Sequence, residues 1–203
     1  YILMLVKKYH AVHLVAGHDY HFGYKGEGNP QLLQDACAKL GIGCDIIGKV
    51  EQDGITISST YIRTLIAQGE MERAREYLGH PHILTGTVTE GRKLGRTMGI
   101  PTANLSLPAE AVQLPFGVYA CKAKIPGGVY TAVTNIGNRP TVGGHRVTVE
   151  PWLLDFSGDL YGKELTLAFY DFLRQEKKFA SLEELQQEIL KNAAQTRKLL
   201  GNS

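Results

Sequence analysis

The chain has 203 residues, 43% hydrophobic and 21% charged, with a formal net charge of +2. That length allows one large or two small domains at the usual ~100–150 residues each. The composition is that of an ordinary globular protein, and so small a charge argues against the concentrated basic face of a nucleic-acid binder. Cys37, Cys44 and Cys121 are an odd set with no C-x-x-C pair. They indicate neither a disulfide framework nor a zinc site, and a reducing cytoplasmic location fits them best. The longest uncharged apolar run, Tyr1 to Val6, is far short of the ~20 residues a membrane span needs, and no signal-peptide cleavage pattern follows it. Because the sequence opens at Tyr1 inside a hydrophobic segment, residues upstream are expected to be missing. Oligomeric state is not legible.

Apolar residues at 2, 3, 5 and 6 ahead of Lys7 and Lys8 suit the tail of a helix. Ala11 to Ala16 reads as a buried strand stopped by Gly17. Asn29 and Pro30 supply a cap and a first-turn proline for a helix from Gln31 to Leu40, with Gly41 as its stop. Cys44 to Val50 is a second strand. Ser58 or Ser59 caps a helix interrupted at Gly69 and ended at Gly79. Strand, helix, strand, helix is the rhythm of a parallel α/β sheet.

The rhythm changes near Pro81. Six β-type runs follow, near 83–90, 102–107, 117–125, 129–136, 147–156 and 164–173. Glycine turns and no helical period separate them, which favours a small antiparallel barrel. Ser181 and Glu184 form a capping box that opens a helix with Leu182, Leu185, Ile189 and Ala193 on its apolar face, packed on the barrel wall. Two abutting domains, 1–80 and 81–203, are expected with a junction at 79–82.

Three sets of residues point to chemistry. After the β-branched run from Ile83 to Val88, Gly91, Gly95 and Gly99 are interleaved with Arg92, Lys93 and Arg96, and Pro101-Thr102-Ala103-Asn104 follows. Glycines let a backbone approach a phosphate and basic side chains offset its charge. Thr102 and Asn104, two apart in extended chain, can turn their oxygens the same way, toward a hard cation. The spacing matches neither of the common phosphate-loop patterns, and a glycine-rich turn with surface arginines accounts for it equally. In the first part, Gly17-His18-Asp19-Tyr20-His21-Phe22-Gly23 follows a strand, and Ser58, Ser59, Thr60 and Arg63 open a helix, where phosphate finds donors; a plain N-cap and a solvated arginine are the other reading. Lastly, Glu150 lies within an otherwise apolar run from Val147 to Leu154.

The stretch from Gly86 to Leu105 resembles the opening of riboflavin kinase, whose motif runs G-x-V-x-x-G, then G-R, then G-[FI]-P-T-A-N-L. The likeness continues in order to about Lys191, through Leu114 to Tyr119, Asn135 to Thr141, Thr148-Val149-Glu150, Leu154 to Phe156, Asp159 to Gly162, and Phe172 to Arg174 with Glu176 and Phe179. The resemblance implies ATP-dependent phosphorylation of riboflavin to FMN, with Mg2+ held by Thr102 and Asn104. It implies a phosphate loop at Gly86, Gly91, Lys93, Gly95 and Pro101, Glu150 as base for the ribityl 5′-hydroxyl, and Arg174 near the flavin. The apolar slot for the flavin ring is expected between the last strand and the C-terminal helix.

The earlier motifs resemble the G-x-D-[FY]-x-F-G and I-S-S-T-x-I-R signatures of the FMN adenylyltransferase module of bifunctional bacterial FAD synthetases. By that resemblance Asp19, Phe22, Ser58, Ser59, Thr60 and Arg63 belong to its nucleotide site. The fold implied is α/β, a partial Rossmann-like nucleotidylyltransferase module followed by a six-stranded antiparallel barrel with a C-terminal helix. The module's H-x-G-H motif is absent, so FMN adenylylation to FAD is not expected of these residues alone. Small-molecule substrates, with no nucleic-acid or membrane partner, are the partners expected. Pro151-Trp152 departs from the family, where a small or apolar residue and then His usually follow the glutamate. The lost donor at Pro151 predicts a locally unpaired strand edge, and a non-catalytic flavin-binding module is the alternative that this departure and the missing H-x-G-H motif motivate.

Overall fold

The computed structural model describes residues 1–91, 95, 99–106, 114–141 and 144–201. Two compact units emerge, Tyr1–Ile57 and Ser58–Ser203.

In the first unit α1 (Ile2–Tyr9) precedes β1 (His13–Gly17), α2 (Pro30–Leu40) and β2 (Gly43–Ile47). The two strands pair in parallel, His13 opposite Gly43 through Gly17 opposite Ile47. A short hairpin, β3 (Glu51–Gln52) and β4 (Ile55–Thr56), closes the unit. The start of α2 follows from its N-cap and its first residue: Asn29 Oδ1 accepts the Leu32 amide at 2.9 Å and Pro30 sets the first turn. Its end follows from Gly41, which takes the left-handed φ of 69° that a residue with a Cβ resists. Ala16, Leu33 and Cys37 are the core, with Leu14, Phe22, Cys44 and Ile46 around it. The expected burial of β1 is only half realised, since Val15 is 63% exposed. Alternate residues of a strand face opposite ways, and only the face carrying Leu14 and Ala16 joins that core.

The second unit begins with α3 (Ser59–Gln68) and α4 (Met71–Leu78). Ser58 Oγ accepts the Tyr61 amide at 3.1 Å, and Gly69 and Gly79 end the two helices in left-handed conformations. Leu65, Ile66, Met71 and Ala74 are buried in the same core as the barrel strands. The packing boundary therefore falls at Ile57/Ser58 and does not coincide with the change of rhythm at 79–82. The hydrophobic face of this helix pair needs a partner surface, and the barrel supplies it.

The barrel strands are β5 (His82–Thr89), β6 (Asn104–Ser106), β7 (Gly117–Ile125), β8 (Gly128–Thr141), β9 (Gly144–Leu153) and β10 (Glu164–Gln175). They close antiparallel in the order β10-β5-β6-β9-β8-β7. The interior is filled by side chains, as in any barrel this small. Tyr119 and Phe169 meet edge to face at 5.3 Å within it, beside Leu165, Leu167, Ile136 and Val149.

The expectation of an unpaired edge at Pro151 is corrected. Pro151 lies within β9, opposite Thr134, and its carbonyl accepts the Ala103 amide at 2.8 Å. The N–H and C=O of a strand residue point to the same edge, so the missing donor faces the short β6 side and leaves the β8 ladder whole.

The C-terminal helix α5 (Leu182–Leu200) is capped by Ser181 and lies on the outer barrel face. There Ala193 packs with Val118, Val133 and Leu154, and with half-buried Trp152 and Leu173. Its inward stripe differs from the one expected: Leu182 is 65% exposed, while Asn192 and Thr196 are buried. Both polar groups are satisfied, Asn192 by Arg174 and Thr196 by the Asn192 carbonyl.

Candidate active site

Two cavities flank the segment from Ile100 to Ala103, and Thr102 lines both. The first, about 430 Å³, lies between this segment and the loop after β9, against Pro101, Phe156, Ser157, Asp159 and Tyr161. Asp159 Oδ1 accepts the Tyr161 amide at 2.9 Å, which fixes that loop locally.

The second, about 340 Å³, lies between the outer barrel wall and α5. Its floor is made by alternation along the strands. Val149, Pro151 and Leu153 are buried inward, whereas Glu150 and Trp152 point outward into the cavity beside Val133 and Asn135 of β8. Leu185, Ile189 and Asn192 of α5 form the opposite wall, and Arg174, Lys177 and Phe179 the rim.

Arg174 is held from several sides. Its Nε donates to Asn192 Oδ1 at 3.1 Å and lies 3.4 Å from Glu188 Oε1, and the guanidinium sits 5.6 Å from the Phe179 ring centre. Its ion-pair partner is Glu188, and both side chains are largely buried. Burial draws Arg174 below its ordinary pKa, against the pull of Glu188 and Glu176. The Lys177 ammonium, 3.1 Å from Glu188, holds that carboxyl below its usual range. Glu176 instead leans on β8, where a Cβ on Gly137 would meet its Oε1 at 2.5 Å.

Of the residues singled out in the sequence, Gly95, Thr102, Glu150 and Arg174 come together around the second cavity, and Pro101 with Thr102 lines the first. A Cβ on Gly95 would collide with the Ile100 carbonyl, and would stand 3.4 Å from Thr102 Oγ1. Gly91 and Asn104 line neither cavity but touch each other, since a Cβ on Gly91 would collide with the Asn104 carboxamide. Gly86 sits in β5 opposite Leu165. Lys93 lies outside the described residues. Asp19 is exposed, Phe22 is half-buried and stacked 5.7 Å from Tyr20, Ser58 serves as an N-cap, and Ser59, Thr60 and Arg63 are exposed. None of these six lines either cavity. Sequence reasoning gave no site role to Asn135, Trp152, Lys177 or Asn192. Asn192 gave no signal, being a polar residue on a helix. Asn135 lay in a motif already quoted, and Trp152 drew notice only as a departure from the family pattern. Among the described residues no three of His, Cys, Asp and Glu gather as a metal site.

The closed barrel thus carries two cavities that share Thr102, with the Glu150 carboxylate in the more apolar of them. Residues 78–200 match the riboflavin kinase family model, and residues 1–61 match that of FAD synthetase. The chain belongs to the riboflavin kinase family. It is 41% identical over 192 residues to the bifunctional riboflavin kinase/FMN adenylyltransferase of Pseudomonas fluorescens, covering 94% of this chain and 61% of that one. The Bacillus subtilis protein of the same name is 37% identical over 193 residues, with the same two shares, 94% and 61%. A crystal structure described as a macrolide-efflux protein from Streptococcus pneumoniae superposes with a TM-score of 0.83 at 32% identity, covering 95% of this chain and 62% of that one. The chain thus spans about three fifths of the length of these relatives. Among the described residues no helix is long and apolar enough to cross a membrane.

Proposed function

We propose that the chain transfers the γ-phosphoryl group of ATP to the ribityl 5′-hydroxyl of riboflavin, giving FMN and ADP. The observation that carries this reading is that Thr102 and Glu150 line one cavity while Thr102 also borders the other. The nucleotide occupies the first cavity, with its phosphates directed past Pro101 toward Gly95, and the flavin occupies the second. The hydroxyl oxygen forms the new O–P bond as the bond from phosphorus to the β,γ-bridging oxygen breaks. Glu150 accepts the hydroxyl proton and later gives it to solvent. General-base help of this kind contributes typically ~10²–10⁴-fold.

The residues that would hold magnesium are Thr102 and Asn104. Their neutral oxygens suit an ion that keeps its waters and takes most of its countercharge from phosphates, and the ion would supply charge neutralisation to the transferred phosphate. The close approach of Gly91 to Asn104 and of Gly95 to Thr102 supports that assignment. Gly86, Lys93 and Pro101 complete the phosphate side, and Arg174 the flavin side, of the same reading.

Residues 1–80 belong, in this reading, to an FMN adenylyltransferase module, in which Asp19, Phe22, Ser58, Ser59, Thr60 and Arg63 contribute to nucleotide binding, and the whole protein also converts FMN to FAD. It acts on small molecules in the cytoplasm. The test is incubation with riboflavin, ATP and magnesium, with chromatographic detection of FMN. Riboflavin bound but unconverted would favour a non-catalytic flavin carrier. The in-register pairing of Pro151 and Glu150 with β8 removes the main motive for that alternative.

A further inference from the structure

Trp152 is the sole tryptophan of the chain, and phosphoryl transfer as described gives it no task. On β9 it stands two residues from Glu150 on the same outward face, ~7 Å further along the strand. The indole is packed against the cluster of Val118, Val133, Leu154 and Ala193, and it also lines the cavity. Its rotamer is thus already restrained, so a ligand stacking on it orders little. An aliphatic side chain would fill the same space but would present no plane. Offset stacking rewards a planar partner beyond the area it buries. The cavity's other apolar residues are Ile100, Val118, Val133, Phe179, Leu185 and Ile189, and Thr102 is the residue it shares with the first cavity.

We propose that Trp152 is a positioning and specificity-determining residue: the flavin's tricyclic ring stacks on its indole, which sets the ring in the register that brings the ribityl end to Glu150. This rests on the flavin reading of the second cavity. The pocket then selects for a fused planar ring system, and the ribityl chain alone contributes little to binding.

The test compares the wild type with Trp152→Phe and Trp152→Leu, using riboflavin, and lumichrome as the ring system without its ribityl chain. In Trp152→Leu the KM for riboflavin and the Kd for lumichrome should both rise about tenfold, with the KM for ATP unchanged, and Trp152→Phe should recover most of the loss. In the wild type the tryptophan emission should be quenched by lumichrome and not by ADP. A fall in kcat with both flavin affinities unchanged would overturn the proposal, as would unquenched emission at saturating lumichrome. Should Trp152→Leu fail to fold, Trp152→Phe carries the test through a smaller rise confined to the two ring-bearing ligands. A wild type that neither forms FMN nor binds lumichrome would instead sink the flavin reading itself.

Discussion

Asn135 and Glu150 face each other directly across the β8–β9 ladder, and both border the cavity beneath α5. A carboxylate in that position has a carboxamide for a neighbour, an apolar floor to one side, and Thr102 at the junction with the other cavity. It is held by a strand rather than a loop, so its aim is set by the ladder. Replacing Glu150 with Ala or Gln should lower kcat for FMN formation by at least ~100-fold. The melting temperature and the KM for riboflavin should change little, because the side chain is only half-buried. Undiminished turnover would remove Glu150 from the mechanism.

The magnesium assignment can be tested by replacing each ligand in turn and by crowding one of them from a neighbouring glycine. Thr102→Ala and Asn104→Ala should each raise the magnesium concentration needed for half-maximal activity several-fold, by loss of one oxygen donor. Gly91→Ala should behave like Asn104→Ala, because its new methyl group would displace the Asn104 carboxamide. Three magnesium titrations at saturating ATP decide the matter. A wild-type curve for Asn104→Ala would strike it from the ligand set.

The barrel is largely legible in the sequence because its turns are punctuated by glycine: the predicted run 117–125 is the observed β7, and β5 and β10 differ from expectation by a residue or two. Caps at Asn29, Ser58 and Ser181 are equally plain, each being a local hydrogen bond between near neighbours. What escapes is what depends on distant partners. No local pattern tells that α3 and α4 will bury Leu65 and Met71 in the barrel core, or that α5 will turn Asn192 and Thr196 inward and Leu182 out. The hairpin at Asp53-Gly54 had a local signal that went unused, a D-G pair with both φ values positive at 53° and 75°. At the site, Thr102, Glu150 and Arg174 were marked in the sequence by motif. Asn135 acquires its place only through the β8–β9 register, and Asn192 only through helix packing.

The three thiols should separate in reactivity. Cys121 lies fully buried in the barrel, where burial pushes its pKa up to about 12, and buried Cys37 is also raised. The thiolate is the reactive form, so at pH 8 only about one Cys121 in 10⁴ would be ionised. Cys44 is half-buried. A colorimetric thiol titration of the native protein should therefore show one fast group, abolished by Cys44→Ser, with the other two released by denaturant. Three fast groups in native buffer would contradict the packing of Cys37 and Cys121.

His82, at the start of β5, predicts a specific acid sensitivity. Its ring lies 6.2 Å from that of Phe169, and its buried Nε2 finds no hydrogen-bond partner among the described residues. Burial, and secondarily nearby His80, lowers its pKa from the ordinary 6.5. The folded state therefore favours the neutral ring, while the unfolded chain takes up a proton as the pH falls below about 6.5. In the window from there down to the depressed folded value the unfolded state binds more protons, so stability declines with falling pH; above about 6.5 the neutral ring costs nothing extra and the contribution is fully present. His82→Phe, which keeps a ring beside Phe169, should flatten this part of the profile. Denaturation midpoints measured from pH 7.5 to pH 5 for both proteins should show the difference between them shifting in favour of the variant as the pH falls. Parallel curves over that range would show that His82 is protonated as readily in the fold as in the open chain.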